Sequence, residues 1–436
     1  MGKAKINFLK LAYKNLGRHK VKTFLTITAI AVGIALFNWM DAWLLGCNLE
    51  SKRNLINYET GSAKIYAKKY FEKKDELPLY EAFDNYKAII NKLNNLGYNT
   101  APHAVFSGSL ISKELELPFI FIGIDPYLEK TVFKYHNFLD TDDSRFVTNG
   151  KFEALIGVKG AKDLNVKVGD YVRCSVTIDI KDDLGILHYV HQLIDLKICG
   201  IVNSPNPKTN GNIAYLPLDI LQGNMGIMLN GRITEICIRK KGAKEHQLPK
   251  QDESPQYLKK ILGKILTDNL VVVGWQEDAK DYLAMAANDI VSTYIMTSLL
   301  FLLGVIGITN TMLMAIFERM KEIGMIRSLG MKNSQVILLF LMEAGLIGLI
   351  GSFIGLVIAM PLDIWIIYWG LDYTQIFEKA NMNDIGYRII GVFRGAWNPH
   401  TIIISPIVAT IIAVLAALWP AVKAVRMPIA DTLRFE

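Results

Sequence analysis

The sequence predicts an α-helical membrane domain of four transmembrane helices, with a large α/β extracytoplasmic domain inserted between helices 1 and 2. Two observations carry that prediction. The first is where the apolar residues lie. They make up 51% of 436 residues, but Thr23 to Met40, Ile290 to Phe317 and Gly395 to Val422 hold no Asp, Glu, Lys or Arg. A fourth stretch, Val336 to Ile358, carries only Glu343. A helix crosses a bilayer with about 20 apolar residues, so spans are expected near 24–45, 290–317, 336–358 and 401–422. The second observation is charge. Met1 to Lys22 holds seven basic residues and no acid, and Glu318 to Lys332 and Lys423 to Glu436 are also net basic. Residues 46–289 hold 31 basic and 31 acidic residues. Basic segments stay in the cytoplasm. Both termini and the 318–332 connection are therefore expected inside, with the 46–289 domain and the 363–394 loop outside. The net charge of +7 is then a topology signal, and no nucleic-acid partner is expected.

The chain divides into 1–45, 46–289 and 290–436. Within the first part, Ile6, Leu9, Tyr13 and Leu16 recur at helical spacing opposite Lys10, Lys14 and Arg18, which suits a helix lying in the cytoplasmic interface. The run Leu44-Leu45-Gly46-Cys47 has the form of a lipoprotein signal. Against cleavage, the basic region is long and Asp41 interrupts the approach to the cysteine, so a retained span is expected.

The 46–289 region reads as mixed α/β. Strands are expected at 63–67, 119–124, 171–178, 193–202 and 233–239 from alternation and β-branched content, and helices at 80–96 and 255–266 from apolar spacing. Asn203 to Asn212, "NSPNPKTNGN", has the chemistry of an exposed loop. All four cysteines lie at or beyond the outer face, where disulfides are permitted. Cys174 and Cys199 sit about equally far from an expected hairpin turn near Leu184-Gly185, so a cross-strand pair and two buried free thiols are both open. No local spacing signals a metal site, and His188 and His191 read as surface histidines. No nucleophile elbow, zinc-protease helix or phosphate-binding loop occurs. The chain is expected to have no catalytic residues and no cofactor of its own; ATP, if used, binds elsewhere.

In the last part, Ala344, Gly348, Ser352 and Gly355 repeat at three- to four-residue spacing and suit close helix packing. Glu343 reads as a structural carboxylate without an intramembrane partner, and no polar transport path crosses the spans. The connection "FERMKEIGMIRSLGMKN" (317–333) reads as a short amphipathic helix. Glu318 with Lys321, and Arg319 with Glu322, are three apart and can pair. Met320, Ile323 and Ile326 give it an apolar edge.

The stretch "IGITNTMLMAIFERMKEIGMIRSLGMKNSQVILLFLMEAGLIGLIGSFIG" (306–355) resembles the signature region of the MacB-type ABC transporter permeases, the family of the lipoprotein-releasing permeases and FtsX. The segments "LAYKNLGRHKVKTFLTITAIAVGIAL", "ALIGVKGAKDLNVKVGDYV" and "WPAVKAVRMPIADTLRFE" fit as well. The stand-alone form, the roughly 30-residue loop between spans 3 and 4, and Trp275 are like the lipoprotein-releasing (LolC/LolE-like) type. The 306–324 stretch reads nearer the macrolide-exporter branch.

The resemblance implies a dimer with a second permease, identical or paralogous, above an ABC ATPase dimer that holds ATP and Mg. It implies a coupling helix at 318–332, with Glu318, Arg319, Glu322, Ile323, Gly324, Arg327 and Gly330 contacting or shaping the ATPase interface. It implies a bacterial inner-membrane protein whose large domain is periplasmic and undergoes mechanotransmission. The favoured ligand is a lipoprotein, entering from the membrane lipids. Candidate lining residues are Phe37, Met40 and Trp43 on span 1 and Ile295, Met296 and Leu299 on span 2. The 177–193 segment is long enough for a hairpin that receives a periplasmic lipoprotein chaperone. A drug, peptide or toxin exporter and a non-transporting regulator are the other readings.

Overall fold

The computed structural model describes residues 8–17, 20–113, 115–181, 187–223, 227–228, 231–373 and 389–428. Two compact units form: a helical unit of 1–47, 286–371 and 393–436, and an α/β unit of 48–285 and 372–392.

The helical unit begins with a short helix, Phe8–Leu16, that buries Ala12. Four long helices run at Lys20–Leu55, Lys280–Glu318, Asn333–Tyr368 and Pro399–Arg426, with a nine-residue helix, Met320–Ser328, connecting the second and third. Each extends past the span expected from its apolar run, because charge limits an apolar window but not a helix. Among the described residues, Thr23–Thr60, Asn333–Tyr368 and Pro399–Arg426 are long and apolar enough to cross a membrane. The second long helix contains 290–317, but its described apolar stretch, Val305–Glu318, is shorter than that length.

Small residues decide how these helices meet. A Cβ added at Gly355 would lie 2.7 Å from the Ala31 carbonyl oxygen, and one at Gly351 would lie 3.0 Å from Ile30, both on the first helix. A Cβ at Gly348 would lie 2.9 Å from Ala413 on the fourth. Ala344 and Ser352 are buried on the same stripe. The third helix thus presents its small-residue face to the first and the fourth, at distances that larger side chains would forbid. Asn38 and Ser405 add a buried hydrogen bond of 3.0 Å between the first and fourth helices.

In the α/β unit, nine strands form one sheet among the described residues: β1 Ala63–Ala67, β2 Tyr98–Ile111, β3 Glu116–Ile124, β4 Glu153–Gly157, β5 Tyr171–Lys181, β6 Leu187–Val202, β7 Ile213–Pro217, β8 Glu235–Lys240 and β9 Leu270–Gly274. Their order is β3-β7-β4-β6-β5-β2-β8-β1-β9, and β3 also pairs with β2. The first six strands therefore close into a ring, which removes exposed edges, while β8, β1 and β9 extend from β2. The 14-residue β2 makes this possible. Its first half (98–103) pairs with β8 and its far end (109–111) with β5, while 103–111 pairs with β3.

Two expectations need revision, and one left open is resolved. The expected 80–96 helix starts only at Tyr86, after a short 3-10 turn at Leu79–Glu81. The segment 203–212 is not an open loop: Ser204, Asn206, Thr209 and Asn210 are buried. Its polar side chains satisfy its own backbone, as where the Ser204 amide donates to Asn210 Oδ1 at 2.7 Å. Polar composition marked a turn but not its exposure, since a loop that closes its own hydrogen bonds can be buried. The cysteines are all buried free thiols, and Cys174 lies opposite Ile194 rather than Cys199. Burial pushes the thiols of Cys174 and Cys199 up to about 12, which leaves them protonated and unreactive. The expected turn at Leu184-Gly185 lies outside the described residues, although β5 and β6 pair up to Lys181 opposite Leu187.

Candidate functional site

The connection between the second and third long helices is built on one ion pair. The second helix breaks at Arg319, whose backbone leaves helical geometry at φ −109°, ψ 12°. This turns the arginine side chain back toward the third helix. Its Nη1 donates to both oxygens of Glu343, at 3.1 and 3.2 Å, and the guanidinium lies 5.7 Å from the Phe340 ring centre. Asn15 of the first short helix donates to the same carboxylate. Glu343 therefore has partners, contrary to the expectation that it stands alone in its span. Arg319 reaches Glu322 as well, at 3.7 Å, but Glu343 is its closer partner. The two side chains are only 11% and 7% exposed, so the pair is a buried one whose charges depend on each other.

The helix Met320–Ser328 then packs inward through Met320, Ile323 and Gly324, of which Met320 and Ile323 join Ile316, Phe340, Ala421 and Val425 in one apolar cluster. A second brace closes its far end, where Arg327 Nη1 donates to the Met427 carbonyl at 2.8 Å. Gly330 ends the connection at φ +98°, a conformation that glycine adopts without strain. The seven positions carried over by resemblance thus separate. Ile323 and Gly324 are buried, Arg319 and Arg327 are turned into the protein, and Glu318 and Gly330 are exposed, with Glu322 half-buried. The outward face carries Met325 and Leu329, 57% and 83% exposed. Sequence reading missed this pair because it took the apolar residues as a single edge. The positive φ at Gly330, which leaves Leu329 outward at the helix end, has no signature in residue type alone.

The residues expected to line a ligand cleft are divided. Phe37, Met40 and Trp43 are half-buried on the first helix, whereas Ile295, Met296 and Leu299 are each more than half exposed on the second. The first helix meets the third through Gly351 and Gly355 and the second through a Thr26–Thr311 hydrogen bond of 3.2 Å.

The α/β unit holds a second polar centre, fully buried. Register creates it: β8 sets Glu235 opposite His103 of β2 and Tyr66 of β1, and Cys237 opposite Lys64. Lys64 Nζ donates to Glu235 Oε1 at 2.8 Å and lies 3.7 Å from Asp278. His103 bridges two carboxylates, with Nδ1 3.1 Å from Glu235 and Nε2 2.7 Å from Glu129. Tyr135 donates to the other oxygen of Glu129 at 2.7 Å, and Tyr66 to Asp278 at 3.0 Å. Burial alone would discharge Lys64 and Glu235, but each holds the other ionised. Lys64 stays well above lysine's ordinary value and Glu235 well below a carboxylate's. Sequence reading missed this centre because its members come from separate strands. The available signal was Glu235-Ile236-Cys237, where period-two alternation puts an acid and a thiol on one face.

Residues 294–429 match the family described as FtsX-like permease C-terminal. An uncharacterized ABC transporter permease of Methanocaldococcus jannaschii is 24% identical over 437 residues, covering 99% of this chain and 98% of that one. LolC of Xylella fastidiosa, a lipoprotein-releasing system transmembrane protein, is 22% identical over 77% of each chain. The macrolide export protein MacB of Chlorobium luteolum is 28% identical over 30% of this chain and 16% of its own length. Residues 294–429 thus carry an FtsX-like permease domain, and the relatives that match the chain are ABC transporter permeases of the LolC and MacB type.

Proposed function

We propose that this permease couples ATP hydrolysis on a separate ATPase dimer to movement of its α/β unit outside the membrane, and that the work extracts a lipoprotein. The observation that carries the reading is the Met320–Ser328 helix. Its inner face is locked to the third and fourth long helices by Arg319–Glu343, Arg327–Met427 and an apolar cluster, while Met325 and Leu329 stay free on its outer face. A force applied to such a helix moves the helices it is fixed to.

The remaining arrangement follows from charge and family. In this reading the chain crosses the membrane four times, with both termini and this helix in the cytoplasm and the α/β unit outside. A second permease, identical or paralogous, completes the membrane dimer, and ATP and Mg are held by the ATPase. The LolC relative favours a lipoprotein as ligand. Its acyl chains gain about 0.8 kcal/mol per CH₂ buried in hydrocarbon, so their removal needs an outside energy source. The segment 177–193 is the one suited to receive a lipoprotein chaperone. The local match to MacB favours drug or peptide export as the second reading.

A photo-crosslinker at Met296, which is 59% exposed on the second helix, tests the ligand. In nucleotide-free native membranes it is expected to capture a lipoprotein, with a lower yield after ATP is added. Capture of phospholipid alone, unchanged by ATP, would remove the lipoprotein and favour export.

A further inference from the structure

We infer that His103, Glu235 and Cys237 form a tetrahedral zinc site in the α/β unit, with one coordination position open to an internal cavity. The geometry is already that of a coordinated ion. Glu235 Oε1 lies 3.1 Å from His103 Nδ1, while Cys237 Sγ lies 3.5 Å from the same nitrogen and 3.6 Å from the same oxygen. All three donors fall within 4.8 Å of one another. Tetrahedral zinc, with bonds of about 2.0 Å to nitrogen and oxygen and about 2.3 Å to sulfur, spaces its donors about 3.3–3.6 Å apart. The mixed nitrogen, oxygen and sulfur set suits zinc rather than calcium or magnesium, which take oxygen alone.

The surroundings supply what a metal site needs beyond its ligands. The outer nitrogen of His103 meets Glu129 at 2.7 Å, and Glu129 in turn accepts from Tyr135. This carboxylate–histidine arrangement orients a zinc-binding imidazole and raises its basicity. The His103 ring also stacks on Phe133, with centroids 5.6 Å apart. A cavity of about 160 Å³ borders His103 and Glu235; it has room for a water as fourth ligand, which occupies about 30 Å³. Lys64 remains on Glu235 and Asp278 outside the coordination shell.

The test uses the tag-free full-length chain in detergent, stripped with chelator and then equilibrated with zinc or cobalt. One zinc per chain is expected to survive gel filtration, and cobalt should give a tetrahedral spectrum with a thiolate-to-metal charge-transfer band. Cys237→Ser should abolish that band, and Cys174→Ser should leave it. Glu129→Gln should weaken zinc binding about 10- to 100-fold without changing stoichiometry. Wild-type protein that retains no zinc, or a cobalt spectrum without a thiolate band, would overturn the site, as would a band that survives Cys237→Ser. The wild-type measurement decides the matter even if a variant fails to fold.

Discussion

Replacing Arg319 with leucine is expected to destabilise the helical unit by about 3–5 kcal/mol, because it leaves the Glu343 carboxylate buried without its cation. Glu343 is buried beside Asn15, Phe340 and the connecting helix, away from replacement solvent. Removing both charges together, as Arg319→Leu with Glu343→Leu, should recover most of that loss, since neither charge is then stranded. Thermal unfolding of the single and double variants in detergent measures the difference. Equal losses from Arg319→Leu and from the double variant would mean that the pair packs but does not couple. The double variant separates stability from function as well. With the brace gone, the connecting helix is held only by its apolar face, so coupled ATP hydrolysis should remain impaired after stability returns.

Leu329→Asp is expected to weaken association with the ATPase by at least about 30-fold while leaving the permease folded. Leu329 is 83% exposed and follows the connecting helix, next to a glycine whose positive φ ends it. A charge there costs nothing in the isolated chain. At the centre of an apolar contact, loss of an anchor is worth about 2 kcal/mol or more, and each 1.4 kcal/mol is tenfold in affinity. Co-purification of the variant with its ATPase, read beside its own thermal unfolding, checks the expectation. Unchanged association would place the ATPase contact elsewhere.

Much of the architecture was legible in the sequence, for identifiable reasons. The apolar runs and the basic flanks are one-dimensional quantities, and they located the long helices. Period-two alternation found β1, β3, β5, β6 and β8, although the pairings that close six strands into a ring depend on contacts between distant segments. The small residues from Ala344 to Gly355 could be read as a packing stripe, but not which helices would press against it. Glu343 shows the limit most clearly. Its partner Arg319 is 24 residues away on another helix, and the i, i+3 rule directed attention to Glu322 instead. His103 could not be joined to Glu235 and Cys237 for the same reason, since no local spacing links β2 to β8. Residues 203–212 show the opposite error, in which loop chemistry was correctly read and burial was not.

The central claim is that an ATPase drives this permease through the outer face of the Met320–Ser328 helix. A photo-crosslinker at Met325, 57% exposed on that face, tests it in native membranes with one control position, Tyr127 on the α/β unit, 79% exposed. A crosslink is expected from Met325 to an ABC ATPase and none from Tyr127. Absence of the ATPase from the Met325 product, or its capture from Tyr127 instead, would rule out drive through this helix.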